Sequence, residues 1–215
     1  MGYTLTAAEI EHIYKSALIV QGRVHERNTE YLWLWDMLEL EGDILDVGCV
    51  DSKLAETLAK LGVFKEVWGI DIRPYPNAPF RFIQEDIRRT SLPTEYFDQI
   101  VAISTIEHVG MNCYGNSWID PVHGDRMAIL EMYRILADGG DMYITLPYGN
   151  SIGDYWIRYY NKNTLNNLLY GLGYDATYYR KIGDKWVECN EEEAAKMPSG
   201  EGALPNAIVC VWVVK

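Results

Sequence analysis

Four short stretches of the chain end in groups able to do chemistry: "DVGCVDS" (46–52), "GIDIRP" (69–74), "QEDIRR" (84–89) and "STIEHVG" (104–110). Three carry acids: Asp46 and Asp51, then Asp71, then Asp86. The fourth carries Ser104, Glu107 and His108. Carboxylates gathered at neighbouring strand ends repel one another unless hydrogen-bond donors lie between them. Ribose hydroxyls, adenine amino groups and an ammonium are suitable donors. Asp71 follows Gly48 by about twenty residues, the distance between the glycine turn and the ribose acid in dinucleotide sites. Taken singly, Asp71 and Asp86 are more often caps or solvated loop acids than ligand groups. Gly48 alone reads as well as a turn glycine. The spacing of the set is what favours a site.

The elements that must position these groups alternate in type. Thr6 and Glu9 form a capping-box pattern that opens a helix to about residue 18. A second helix follows over "NTEYLWLWDMLEL", with Asn28 as N-cap and Gly42 as its stop. "DILDV", "EVWGID", "RFIQED", "FDQIVAIST" and "DMYITLPY" read as five strands, the fourth apolar enough to be buried on both faces. "SKLAETLAKLG", capped by Asp51 or Ser52 and closed by Gly62, and "GDRMAILEMYRILADGG", running to Gly139-Gly140, read as helices between them. A short helix over "NKNTLNNLLYGLG" precedes two last strands, "ATYYRKI" and "AIVCVWVVK". An acidic, proline-containing excursion over 183–206 separates those two. Strands alternating with helices predict an α/β fold: a Rossmann-like, doubly wound, mostly parallel seven-stranded sheet with helices on both faces and a C-terminal antiparallel strand.

Length and composition bound the function. With 215 residues the chain is expected to be a single domain. Within it, 1–41 reads as an N-terminal helical cover and 42–215 as the core, with an insertion at 111–127. The net charge of −12 disfavours nucleic acid, whose binding depends on Lys and Arg neutralising phosphates. Arg88-Arg89 is too little to make a basic patch. Cys49, Cys113, Cys189 and Cys210 are scattered without metal-ligand spacing and read as reduced thiols of a cytoplasmic protein. No signal peptide, strong myristoylation pattern or membrane span is expected.

In this order the motifs resemble those of the class I S-adenosylmethionine-dependent methyltransferases, from about Gly42 to the C-terminus. "ILDVGCVDS" is similar to that family's first motif, D-x-G-x-G-x-G. "VWGIDI" is similar to the second, whose acid binds ribose, and "IQEDIRRTSLP" to the segment that flanks adenine. "FDQIVAISTIEHV" and "EMYRILADGGDMYITLPYG" are similar to the fourth-strand motif and the helix-turn-strand that follows. The resemblance implies S-adenosyl-L-methionine as cofactor, held by Asp46, Gly48, Cys49, Val50 and Asp51, by Asp71 and Ile72, by Asp86 and Ile87, and by Ser104. It also implies a seventh strand inserted beside the fifth. "EHVG" followed by "LPYG" looks most like methyltransferases found with polysaccharide-modification genes.

The chain departs from the family at Val50 and Ser52, where glycines are usual. Valine is strained at positive φ, so Val50 is expected at negative φ with its side chain turned from the ligand. Ala137-Asp138 replaces the usual Lys-Pro before Gly139-Gly140.

The implied reaction is in-line displacement at a sulfonium methyl group, in which positioning carries much of the catalysis. A hydroxyl acceptor also needs a base. His108 is the candidate, with Glu107 beside it; equally, the pair could cap and order the pocket wall. His25 and His123 read as loop histidines, and His123 with Asp120 and Asp125 as a weak metal set. Tyr114, Trp118, Tyr148, Tyr155, Trp156, Tyr159 and Tyr160 supply aromatic faces for a small-molecule or glycan acceptor. Two rival readings are a methyltransferase-fold binding module without turnover and a nicotinamide-dependent oxidoreductase, though "DVGCVDS" lacks the glycines that admit a pyrophosphate.

Overall fold

The computed structural model describes residues 5–21, 24–151, 153–200 and 204–215. Eight strands form one sheet: β1 (Asp43–Val47), β2 (Glu66–Asp71), β3 (Arg81–Gln84), β4 (Phe97–Ile103), β5 (Leu136–Pro147), β6 (Tyr174–Ile182), β7 (Lys185–Cys189) and β8 (Ala207–Val214). Their order is β3-β2-β1-β4-β5-β8-β6-β7. The strands from β3 to β5 in that order pair in parallel, and β8 lies antiparallel between β5 and β6. The order reverses between β1 and β4. A crevice therefore opens there beyond the strands' carboxyl ends, where open α/β sheets bind ligands.

Period-two alternation divides the core into two layers. Ile44, Val101, Ile103, Tyr143 and Ile208 face one side. There they pack on α1 (Ala7–Leu18), α2 (Glu26–Met37) and α3 (Leu54–Leu61) through Tyr14, Leu34 and Leu58. Leu45, Ile100, Ala102, Ile144 and Val209 face the other side, against α4 (Gly124–Ile135) and α5 (Lys162–Leu168) through Ile129, Met132 and Leu165. Each fully buried aliphatic side chain in these layers contributes roughly 1.5–3 kcal/mol.

Several boundaries differ from the sequence expectation. The Thr6–Glu9 capping box forms as expected. The N-cap of α2 is His25, whose Nδ1 accepts from the Arg27 N–H. Asn28 instead bonds both the N–H and the carbonyl of Val20, tying α1 to α2. Helix α4 ends at Ile135, four residues short of Gly139, because β5 already begins at Leu136 opposite Phe97. The excursion at 183–206 contains an eighth strand, β7, joined to β6 by the tight turn Gly183-Asp184, with Gly183 at φ 54°. It also contains the short helix α6 (Glu191–Ala195), capped by Asn190. Glycine followed by aspartate between two β-rich runs is a hairpin signal.

Gly48 sets the turn at the end of β1. Its φ is +81° and its N–H donates to the Ile70 carbonyl at 2.8 Å. A Cβ there would fall 2.5 Å from Thr105 Oγ1. Gly62, which closes α3 at φ +65°, has nothing within 4 Å of its would-be Cβ. Gly48→Ala is therefore expected to lower stability by roughly 2–4 kcal/mol. Gly62→Ala should cost only about 1 kcal/mol. Denaturant titration of the two variants checks the difference.

Candidate active site

The β1 turn is braced from behind. Asp46 is buried, and its Oδ2 accepts from Ser52 Oγ (3.0 Å) and the Ala55 N–H (3.1 Å). Ser52 Oγ in turn accepts from the Leu54 N–H at 3.2 Å. The start of α3 is thus served by both side chains, and the N-cap residue Lys53 makes no side-chain cap. Burial pushes the Asp46 carboxyl up to about 7, against the pull of Ser52 and Ala55. Cys49 is buried, and its sulfur packs where a Cβ on Gly69 would lie, at 2.7 Å. Val50 is absent from the positive-φ residues, which outside glycine are Asn77, Glu95, Ser104 and Tyr114 among the described residues. Its N–H donates to Asp71 Oδ2 at 3.1 Å.

The second and third strand ends share one device. Asp71-Ile72-Arg73 and Asp86-Ile87-Arg88 fold the arginine back onto the acid two residues before it. Asp71 Oδ1 accepts from the Arg73 N–H (2.9 Å) and Nε (3.1 Å), and Oδ2 from Arg73 Nη2 at 3.0 Å. Asp86 Oδ1 accepts from the Arg88 N–H and Nε, both at 3.0 Å, and Oδ2 from Nη2 at 2.5 Å. Arg73 also binds Asp51 at 2.6 Å and lies 4.4 Å over the Tyr114 ring. Arg88, fully buried, adds Asn116 at 3.1 Å and the Trp118 ring at 4.1 Å.

The other wall comes from α1, α2 and the end of β4. Arg27 reaches across from α2 to donate to the Ile103 carbonyl at 2.7 Å. Ser104, at φ 42°, donates its Oγ to buried Glu30 at 2.7 Å. Just beyond, the turn Ile106–His108 presents His108. Its Nδ1 lies 2.8 Å from the Trp156 carbonyl. A carbonyl only accepts, so the proton is on Nδ1 and Nε2 carries the lone pair. Burial lowers the His108 pKa, with Arg27 and Arg158 acting the same way. Tyr114 and Trp156 stand edge-on to the imidazole at 5.4 and 6.1 Å, and 4.9 Å from each other.

These elements enclose a cavity of about 430 Å³ at the switch point. Of the residues expected there, Gly48, Asp51, Asp71, Ile72, Asp86, Ile87, Ser104 and His108 line it. Asp46, Cys49 and Glu107 are buried behind that lining, and Val50 is not part of it. Glu107 Oε1 is 4.0 Å from His108 Nε2, and its Oε2 has no partner. Burial raises the Glu107 pKa to about 8, opposed by Arg27 and reinforced by Glu30 and Glu26. Arg27, Tyr31 and Arg73 line the cavity without having been expected as site residues, and Tyr114, expected as an aromatic face for the acceptor, lines it too. The repeated Asp-Ile-Arg is the signal that points to Arg73 and Arg88. The His123 side chain lies 3.4 Å from the Asp120 carboxylate, which also accepts from the Val122 and His123 N–H groups, while Asp125 binds Tyr160. Among the described residues no cluster gathers to hold a metal ion. None of their helices is long and apolar enough to cross a membrane.

The architecture is that of class I methyltransferases. Residues 45–144 match the family profile described as "Methyltransferase domain", and the fold around them is that of the S-adenosylmethionine-dependent methyltransferases. Similar solved structures include an S-adenosylmethionine-dependent methyltransferase from Archaeoglobus fulgidus (TM-score 0.59, 16% identity, covering 95% of this chain and 99% of that one). Another is a methyltransferase from Methanosarcina mazei (TM-score 0.59, 17% identity, 85% and 96%). A third is the N-methyltransferase NodS from Bradyrhizobium japonicum with S-adenosyl-L-homocysteine (TM-score 0.52, 16% identity, 94% and 98%). No curated protein matches the chain in sequence. The cavity fits S-adenosylmethionine chemically: acceptors at Asp71 and Asp86, apolar flanks at Ile72 and Ile87, and a cation at Arg27.

Glu107 gives a pH signature. Its native pKa of about 8 exceeds the ordinary value of 4.5, so between those limits the native state binds more protons than the unfolded one. Its contribution to stability therefore falls as pH rises through that window. Asp46 acts in the same sense up to about 7, and His108 in the opposite sense. Glu107→Gln removes only the first of these. The stability of the variant relative to the parent should grow steadily from pH 5 to pH 8 in denaturant melts, and a constant difference would contradict a proton held on Glu107.

Proposed function

We propose that this methyltransferase acts on a hydroxyl of a small molecule or glycan, with His108 as the general base. The observation that carries this reading is the Trp156 carbonyl 2.8 Å from His108 Nδ1, which leaves Nε2 free to accept a proton beside the cavity. The lowered pKa keeps the ring neutral near pH 7. The bound cofactor supplies an activated methyl group on a sulfonium. The acceptor oxygen gains that methyl group and gives its proton to His108 Nε2. Tyr114 and Trp156 beside the ring offer apolar faces to a cyclic acceptor. Glu107, protonated at neutral pH, keeps the wall beneath the base uncharged.

In this reading Asp71 binds the ribose hydroxyls, Asp86 and the isoleucines flank adenine, and Arg27 faces the methionine carboxylate. The four hydrogen bonds on Asp71 fill its lone pairs. Ribose must therefore displace the Arg73 guanidinium, which keeps Asp51 and Tyr114 as partners. The turnover-free alternative rested on Val50, whose side chain stays off the cavity lining. The methyltransferase profile leaves the nicotinamide alternative without support.

Helix α1 is a cover only in part. Ala17 and Leu18 line the cavity, yet Ile10, Tyr14 and Leu18 are also core. Deleting residues 1–20 would thus remove core as well as cover.

Two measurements test the reading. Asp71→Ala should weaken S-adenosylhomocysteine binding by roughly 1–3 kcal/mol, because ligand hydroxyls lose their acceptor. Arg73→Met should instead tighten it, because the competitor for Asp71 is gone. Calorimetry reads both signs, and weaker binding in the second variant would refute the exchange. In a screen of hydroxyl and amine acceptors, His108→Ala should lower turnover on the true hydroxyl acceptor by about 10²-fold or more. Unchanged turnover would remove it as base.

A further inference from the structure

The base reading of His108 requires its imidazole to be held in one orientation and one tautomer. The group that holds it lies outside the cavity. Gly153 opens a tight turn in which a Cβ would fall 2.2 Å from the Ile157 carbonyl. Asp154 Oδ1 accepts from the N–H groups of Trp156 (2.7 Å) and Ile157 (3.0 Å). That turn aims the Trp156 carbonyl at His108 Nδ1. Two residues on, the Arg158 N–H donates to the Glu107 carbonyl at 3.1 Å. The Arg158 side chain then donates to four carbonyls. Nη1 reaches Val109 at 2.5 Å and Glu107 at 3.4 Å. Nη2 reaches Asp120 at 3.3 Å and Nε reaches Pro121 at 3.2 Å. Asp125 Oδ2 stands 3.6 Å away as counterion.

We propose that Arg158 is the positioning residue of the His108 base: one guanidinium ties the turn carrying His108 to the far end of the 110–121 loop and to the segment whose carbonyl fixes the tautomer. The proposal rests on His108 being the base. Its physical ground is geometric. Glu107 and Val109 flank His108, and Asp120 and Pro121 end the loop that carries Tyr114, the aromatic neighbour of the imidazole. The loop is closed a second time where the Asp120 N–H donates to the Gly110 carbonyl at 2.9 Å. Only the planar fork of an arginine serves acceptors in so many directions; a lysine is a single point of charge. Arg158 does not line the cavity, so its effect passes through His108 and not through contact with cofactor.

Nitrogen-15 NMR of the histidine rings tests this on the full chain, which has four histidines. In the parent, His108 is expected neutral with its proton on Nδ1. In Arg158→Met the Nδ1–H signal should diminish and an Nε2–H signal should appear, and Arg158→Lys should not restore the parental pattern. Affinity for S-adenosylhomocysteine should stay within about twofold, since none of the altered contacts involves Asp71, Asp86 or Arg27 and, of the four carbonyls, only that of Val109 belongs to a residue lining the cavity. A parental tautomer in Arg158→Met would overturn the positioning role while leaving the base reading to stand or fall on His108→Ala. Should the variants not fold, the parent alone decides. The Arg158 Nε and Nη protons are expected to exchange slowly with solvent, and exchange as fast as that of a surface arginine would overturn the proposal.

Discussion

The structure turns on how a strongly acidic chain tolerates carboxylates converging at one edge of a parallel sheet. Two carboxylates about 5 Å apart at an effective dielectric near 20 repel by roughly 3 kcal/mol. Two solutions are used side by side. Asp71 and Asp86, which face the cavity, are each neutralised by the arginine two residues later. Asp46 and Glu107, which lie behind it, have no such partner and are pushed upward by burial, to about 7 and about 8. In the proposed reading the acids that exchange their partners for ligand hydroxyls are the ones at the cavity surface, whereas an acid that braces a turn from behind can hold a proton.

This division shapes what the site can do. In the proposed reading the guanidinium on Asp71 is displaced when ribose binds, so affinity is a difference between two sets of hydrogen bonds. Because Arg73 also lies over Tyr114, and Tyr114 packs edge-on against His108, the ribose end and the acceptor wall share one chain of contacts. Asp71 stands three contacts from His108, through Arg73 and Tyr114.

Much of this was legible in the sequence. The β1 turn, the strand-end acids and the insertion of β8 beside β5 followed from apolar periodicity, spacing and resemblance to a family. Strand β7 was missed because its alternation is half polar, "KWVEC", and its Gly-Asp turn sits at the edge of an acidic stretch. The N-cap of α2 was misplaced because Asn28 is a good cap type, while the ring nitrogen of His25 performed the role. Arg158 carried no local signal: its four acceptors are carbonyls, which every residue possesses, and only the tertiary fold brings them to one point.

The departures at Val50 and Ser52 show which glycines a cofactor turn needs for physical reasons. At Gly48 a side chain would strike Thr105 and the backbone is left-handed, so the glycine is kept. At Val50 the backbone is not left-handed and its N–H still serves Asp71, so a β-branched side chain costs the turn nothing. At Ser52 the hydroxyl adds what glycine lacks, a bridge from Asp46 to the start of α3. The turn keeps its hydrogen bonds with one glycine because the other two positions supply their groups through ordinary backbone and a side-chain oxygen.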